Sequence, residues 1–302
     1  MLFRSTFMCI VIGKYFEGKG WVGIKNRDRN YVPDISFKKK ASEGVEILYF
    51  WDDITQYCEG FNSAGVSIIG ASLMVLDDEK EIEVRSKTPS KDGKRIKKAL
   101  QYPNVKAAAM SLIKSKLTGN TLVFDQDTML LIESARHEGK YHFKVQEIPR
   151  DQVVVRTNHG IWLPWAGYQR DPNSESETLS RISSESRRLI AEKVAAEAQD
   201  PEDILDGLTL DYTHDGQLNA LRTTHKKKKM RTTSQILIIP EEKTMFVRPV
   251  QSNMKFNFWE LNNPKQQTWI EILSNRILYQ NLKNKNTQDD PPFDSQFTHQ
   301  SD

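Results

Sequence analysis

Cys9 opens an apolar stretch, Met8-Cys9-Ile10-Val11-Ile12, and a turn bearing Gly18 and Gly20 returns the chain through Gly23-Ile24-Lys25-Asn26-Arg27-Asp28. In an antiparallel hairpin the end of the second strand lies beside the start of the first. A thiol, the Lys25 cation and the Asp28 carboxylate therefore meet at one end. A cysteine attacks as its thiolate, and a neighbouring positive charge lowers the thiol pKa from about 8.5 toward neutrality. If the residues before Cys9 are removed, its own α-amine, with a pKa of about 7.7–8.0, becomes a general base beside the sulfur. The same residue is also satisfied as a small buried hydrophobe at a strand start.

Two further places offer chemistry. Asn158, in Thr157-Asn158-His159-Gly160, stands where a strand ends. A side-chain amide held there can donate to an oxyanion, a role worth about 2.7–4 kcal/mol, although strand ends also take Asn simply to turn. The small residues Gly70, Ala71 and Ser72 leave backbone N–H groups open to an oxyanion, or serve close sheet packing. Phe61, Trp162, Trp165 and Tyr168 are candidates to wall an acyl pocket, or to fill a core. The histidines are scattered singly, without paired ligand spacing, so neither a metal nor another cofactor is expected.

The elements that must position these residues follow from pattern and punctuation. After the hairpin, Lys38-Lys39-Lys40 reads as a solvated turn, and residues 45–52 as a strand dense in aromatic and β-branched side chains. A turn at Asn62–Gly65 leads to a strand of small and β-branched residues, and residues 77–92 read as loop. Helices are predicted over 94–100 and 105–117, parted by Pro103 and stopped by Gly119. Residues 120–124 and 129–133 form a hairpin, and 142–146 and 152–156 are strands. A long helix ends near Glu197, a short one starts at Asp200-Pro201 with Asp200 as its cap, and 234–240 pairs with 244–250. A last helix covers 264–282, and the polar stretch 284–302 reads as a disordered tail. Strands, then helices, then strands indicate α+β layering.

Composition narrows the function classes. The 43 basic and 40 acidic residues nearly balance at a net charge of +3, so no polyanionic partner is implied, and the run Lys226–Lys229 reads as a solvated loop more readily than as a nucleic-acid site. Two cysteines make no disulfide framework and suit a reducing, cytoplasmic compartment. The first residues make a poor signal peptide, and no apolar run reaches the roughly 18 residues of a membrane span.

Taken in order, Met8-Cys9, Lys25-Asn26-Arg27-Asp28, Asn62-Ser63-Ala64-Gly65-Val66, the helix before Gly119-Asn120 with its hairpin, Arg156-Thr157-Asn158-His159, the Ser-rich opening of the Arg181 helix and the final hairpin resemble the cysteine branch of the N-terminal nucleophile hydrolases. This group holds the choloylglycine hydrolases, the penicillin V acylases and the isopenicillin N acyltransferase-like proteins. The resemblance spans residues 8–250 and implies a four-layer αββα sandwich of two antiparallel sheets, with residues 1–8 as leader or propeptide and 9–283 as one domain. It implies hydrolysis of linear amide C–N bonds, or acyl transfer, through a Cys9 thioester on a small-molecule substrate, in a possible homo-oligomer. Carried over by position, Cys9 is the nucleophile, Asp28 orients its amine and Asn158 is the oxyanion donor. Arg181 completes the charge network, with Arg187 and Arg188 as competitors because the register of the Ser-rich stretch is open. Lys25 stands where many relatives have arginine and loses the bidentate fork. Ser72 stands where bile-salt hydrolases have Asn, so its backbone N–H would have to serve. A non-catalytic binding or structural protein on the same fold is the alternative.

Overall fold

The computed structural model describes residues 8–29, 31, 33–42, 44–73, 91–167, 175–222, 230–250 and 255–257. The chain divides into two units, Met1–Asn262 and Asn263–Asp302, and every described residue lies in the first. In chain order come β1 (Met8–Phe16), β2 (Gly20–Arg29), β3 (Asp34–Ser42), β4 (Val45–Asp52), β5 (Tyr57–Asn62) and β6 (Ser67–Ala71). Helices α1 (Asp92–Ala99) and α2 (Val105–Lys114) precede β7 (Gly119–Phe124), β8 (Met129–His137), β9 (Lys140–Glu147) and β10 (Val154–Arg156). Then follow α3 (Glu175–Glu197), α4 (Pro201–Gly207), β11 (Arg231–Ile239), β12 (Thr244–Pro249) and β13 (Lys255–Asn257).

The strands form two sheets, β10-β1-β2-β11-β12 and β13-β3-β4-β5-β6-β7-β8-β9. Each buries one face under helices. Ile10, Ile12, Val22, Ile24 and Leu237 pack on Ala191, Val194 and Ala195 of α3 and on Ile204 and Leu205 of α4. Ile47, Tyr49, Ile68, Val123 and Ile132 pack on Ile96 and Ala99 of α1 and on Ala108 and Leu112 of α2. The remaining faces meet each other at close range: a methyl group added at Gly23 on β2 would collide with Phe124 of β7 and Ile69 of β6. This is the αββα layering expected.

Local chemistry accounts for the helix ends. Asp200 caps α4 by accepting from the Asp203 N–H, the Asp203 side chain accepts from the Asp200 N–H in return, and Pro201 occupies the first turn. Asn104 caps α2 by accepting from the Ala107 N–H. That helix ends at Lys114, short of the expected Leu117, because Lys116 turns to φ +57°.

Two expectations fail, and others fall outside the described residues. Lys38-Lys39-Lys40 is the middle of β3, not the solvated turn its charge suggests. Ile35 and Phe37 are buried there, while Lys38 lies over the Trp51 ring and Lys39 pairs with Glu46 at 2.9 Å, so cross-strand partners on β4 accommodate the basic run. Strand β13 pairs with β3 in parallel, a departure from the antiparallel rule at one edge. The leader (Met8 apart), most of the 77–92 loop, Tyr168, Lys226–Lys229, the helix over 264–282 and the tail lie outside the described residues. No helix among the described residues is long and apolar enough to cross a membrane.

Candidate active site

Strands β1 and β2 pair with Met8 opposite Asp28, Cys9 opposite Arg27 and Val11 opposite Lys25. Opposite residues in an antiparallel pair share a face, and so do residues two apart along a strand. Cys9 therefore shares its face with Lys25, Arg27 and Arg29, and that face meets the larger sheet. Asp28 has the helix-covered face. Lys25 and Asp28 do not pair, contrary to the sequence expectation, because alternation sends them to opposite sides.

The layer between the sheets is ionic at this end. Lys25 pairs with Glu59 and donates to the Gly70 carbonyl at 2.6 Å. Arg27 pairs with Asp52 at 2.8 Å and lies 3.9 Å from Glu59. Arg29 lies 3.8 Å from Asp52, and its Nη1 reaches 3.5 Å from Cys9 Sγ. Tyr31 donates to Asp52 at 2.6 Å. Lys25, Arg27, Arg29, Asp52 and Glu59 are all buried, and the Cys9 sulfur lies within reach of the Arg29 guanidinium. Burial pushes the Cys9 thiol up, but the Lys25 and Arg29 cations outweigh it and hold the thiol below its ordinary range. Cys58, buried on the opposite face beside the Gly93 carbonyl, is pushed well up by burial with nothing comparable to oppose it.

Asn158 bridges the two sheets. Its Oδ1 accepts from the Cys9 backbone N–H at 2.7 Å, and its Nδ2 donates to the Ser72 carbonyl at 2.8 Å. The reversed amide would set donor against donor and acceptor against acceptor, so these partners fix its orientation. Ser72 enters the site through its carbonyl, whereas the sequence reading assigned it a donating N–H. Just beyond, Leu73 packs with Ala135, Ala166, Leu163 and Trp165. Gly167, at φ +89°, lets the chain pass hard against the Asn158 carbonyl, where a side chain would collide.

On the helix side of β2, Asp28 accepts from Thr232 Oγ1 at 2.7 Å and pairs with Arg187 of α3; Arg222 stands 3.9 Å away. Burial and the Arg187 guanidinium pull Arg222 down to about 9, against the opposing pull of Asp28 and Cys9. Arg181, the first choice from sequence, is exposed six residues before Arg187 on the same helix, and Arg188 is engaged with Glu192 at 2.5 Å. The Cys9 backbone N–H donates to Asn158 Oδ1.

The expected pocket aromatics are dispersed. Phe61 is buried between the sheets two residues from Glu59. Trp162 faces Lys144 and Arg156, each about 5.0 Å from its ring, and Trp165 contacts His137 and His142. Sequence reasoning missed Arg29, Arg27, Asp52 and Glu59. The period-two spacing of Lys25, Arg27 and Arg29 is the signal that puts all three on the face of Cys9. Among the described residues, no group of three or more His, Cys, Asp or Glu could hold a metal ion.

No protein-family model matches the chain, and no curated protein matches it by sequence. Among solved structures it is similar to penicillin V acylase from Agrobacterium tumefaciens, at 11% identity and a TM-score of 0.44, over 83% of this chain and 95% of that one. A likeness of that size carries nothing about activity.

Proposed function

We propose that the chain is an N-terminal cysteine hydrolase, or acyltransferase, of linear amide C–N bonds, with Cys9 as nucleophile. The observation that carries the reading is the meeting of two side chains at one residue: Asn158 Oδ1 at 2.7 Å from the Cys9 nitrogen and Arg29 Nη1 at 3.5 Å from its sulfur, with the thiol held low. On this reading hydrolysis of the Met8–Cys9 bond frees an α-amine, which takes the thiol proton. The thiolate attacks the substrate carbonyl carbon, and an Asn158 N–H steadies the resulting oxyanion. Collapse breaks the C–N bond, and the proton on the α-amine leaves with the amine product. Water or a second amine then attacks the thioester, releasing acid or a new amide and restoring the thiol. The substrate is a small-molecule amide, and two free thiols suit the cytoplasm.

A second reading, a binding or structural protein on the same fold, is favoured by one observation: Cys9 is only 2% exposed. Intact-mass spectrometry separates the two. The enzymatic reading expects a mature chain beginning at Cys9 that gains one acyl mass from p-nitrophenyl acetate, with the gain lost in Cys9→Ala. An unprocessed chain whose Cys9 takes no acyl group supports the binding protein instead.

A further inference from the structure

The segment that carries Asn158 is gripped from both sides by two side chains of the larger sheet. Asn120 on β7 and Glu133 on β8 are directly opposite each other and fully buried. Asn120 Nδ2 donates to the Thr157 carbonyl at 2.9 Å and to the His159 carbonyl at 3.2 Å, one on each side of Asn158. Glu133 accepts from three successive backbone N–H groups, Ile161 at 3.0 Å, Trp162 at 2.7 Å and Leu163 at 2.6 Å. Its carboxylate also lies 3.7 Å from Arg156 Nε. The loop closes on itself as the Gly160 N–H donates to the Ala166 carbonyl at 2.8 Å.

We infer that Asn120 and Glu133 form a clamp whose work is to position Asn158 against Cys9. The inference rests on the reading of Asn158 and Cys9 given above. Between Arg156 and Leu163 the two side chains take hold of the backbone or side chain at residues 156, 157, 159, 161, 162 and 163, and Asn158 projects from the middle of that span to bridge Cys9 and Ser72. A loop end tied at one point can pivot. One tied on both flanks of a residue fixes where that residue's amide lies, which is what preorganised donors require, since they act only when aimed at the place where charge develops. Neither Asn120 nor Glu133 touches the sulfur in the hydrogen bonds and ion pairs of the site, so both are positioning residues. Among the described residues Asn120 Oδ1 is buried without a hydrogen-bond partner, so the residue's contribution lies in the donor that holds Thr157 and His159.

Two reactions of Cys9 isolate positioning from general damage. Acylation by p-nitrophenyl acetate passes through an oxyanion and needs Asn158 in place. Alkylation by iodoacetamide is a direct displacement at carbon with no oxyanion, and it reads only the thiolate and its accessibility. In Asn120→Leu and Glu133→Gln, acylation is expected to fall about tenfold or more, a fraction of the 10²–10³ associated with outright loss of an oxyanion donor, while alkylation stays within about twofold of the parent protein. Asn158→Ala is run beside them. If it lowers acylation and the clamp variants do not, the clamp is overturned and the reading of Asn158 stands. If both reactions fall together in the clamp variants, the role is structural and the clamp as a positioning device is overturned. If Asn158→Ala leaves acylation unchanged, the reading of Asn158 itself falls, and the clamp with it. Should Asn120→Leu fail to fold, Glu133→Gln decides the matter, because it preserves shape while replacing an acceptor oxygen with an N–H donor.

Discussion

Arg29 Nη1 stands 3.5 Å from Cys9 Sγ although twenty residues separate them in sequence. The contact follows from register: Arg29 lies two residues beyond the Arg27 that faces Cys9, on the same side of the hairpin, and Asp52 lies 3.8 Å behind it. A buried sulfur next to a buried guanidinium is a site prepared for a negative charge.

Replacing Arg29 with leucine removes one of the two cations that offset burial and leaves Lys25 to oppose it alone. The Cys9 thiol pKa should rise. The check is the pH profile of iodoacetamide alkylation at Cys9, read by mass. Cys58, pushed up by its own burial, should remain unlabelled in the same window.

Arg187 and Arg181 lie on the same helix and should behave oppositely. Arg187→Ala leaves Asp28, among the described residues, with Thr232 Oγ1 and the more distant Arg222, and should cost about 3–5 kcal/mol, as expected when one partner of a buried pair is removed. Arg181→Ala, at an exposed position, should change stability by no more than about 0.5 kcal/mol. Urea denaturation of the two variants gives the comparison directly.

His159 is buried, with Nδ1 2.7 Å from Ser184 Oγ and 3.0 Å from Thr157 Oγ1. Burial, with Arg188 and Arg156 nearby, pushes its pKa down to about 4 from an ordinary value of 6.5. The fold thus favours the neutral ring. Its contribution is complete above the unfolded pKa and is lost as the pH falls through about 4. Between those values stability should drop by about 1.4 kcal/mol per pH unit from this group. Denaturant midpoints across that range should show the slope, and His159→Asn, which keeps a polar atom near Nδ1 but does not titrate, should flatten it.

Gly23 lies where the two sheets meet at close range. Gly23→Ala should cost about 1–3 kcal/mol by overpacking against Phe124 and Ile69. A thermal melt is sufficient to test it, and an unchanged midpoint would mean that the sheets can part more easily than their packing indicates.

Much of the frame was legible because its signals are local. The Asp200-Pro201 start, the Asn62–Gly65 turn and the Cys9 hairpin are written in a few adjacent residues. The site was legible in part. Cys9 and Asn158 meet, but the cation at the sulfur is Arg29 as well as Lys25, and the arginine on Asp28 is Arg187. These errors share a cause: which face a strand or helix residue occupies depends on register and helix phase, and the side chains that fix them, such as Asp52 and Glu59, arrive from other strands. The basic β3 was missed because its partners, Trp51 and Glu46, are on the neighbouring strand.

Strand β2 separates two ionic systems, with Lys25, Arg27 and Arg29 toward one sheet and Asp28 toward the helices. A single residue inserted into the 17–19 turn would slip β2 by one position against β1 and exchange the two sets, sending guanidinium groups into the aliphatic layer under α3 and a lone carboxylate toward the sulfur. The length of that short reversal therefore sets the electrical sign of the surroundings of Cys9, and loop-length variants there should be far less tolerated than an exposed hairpin tip would suggest.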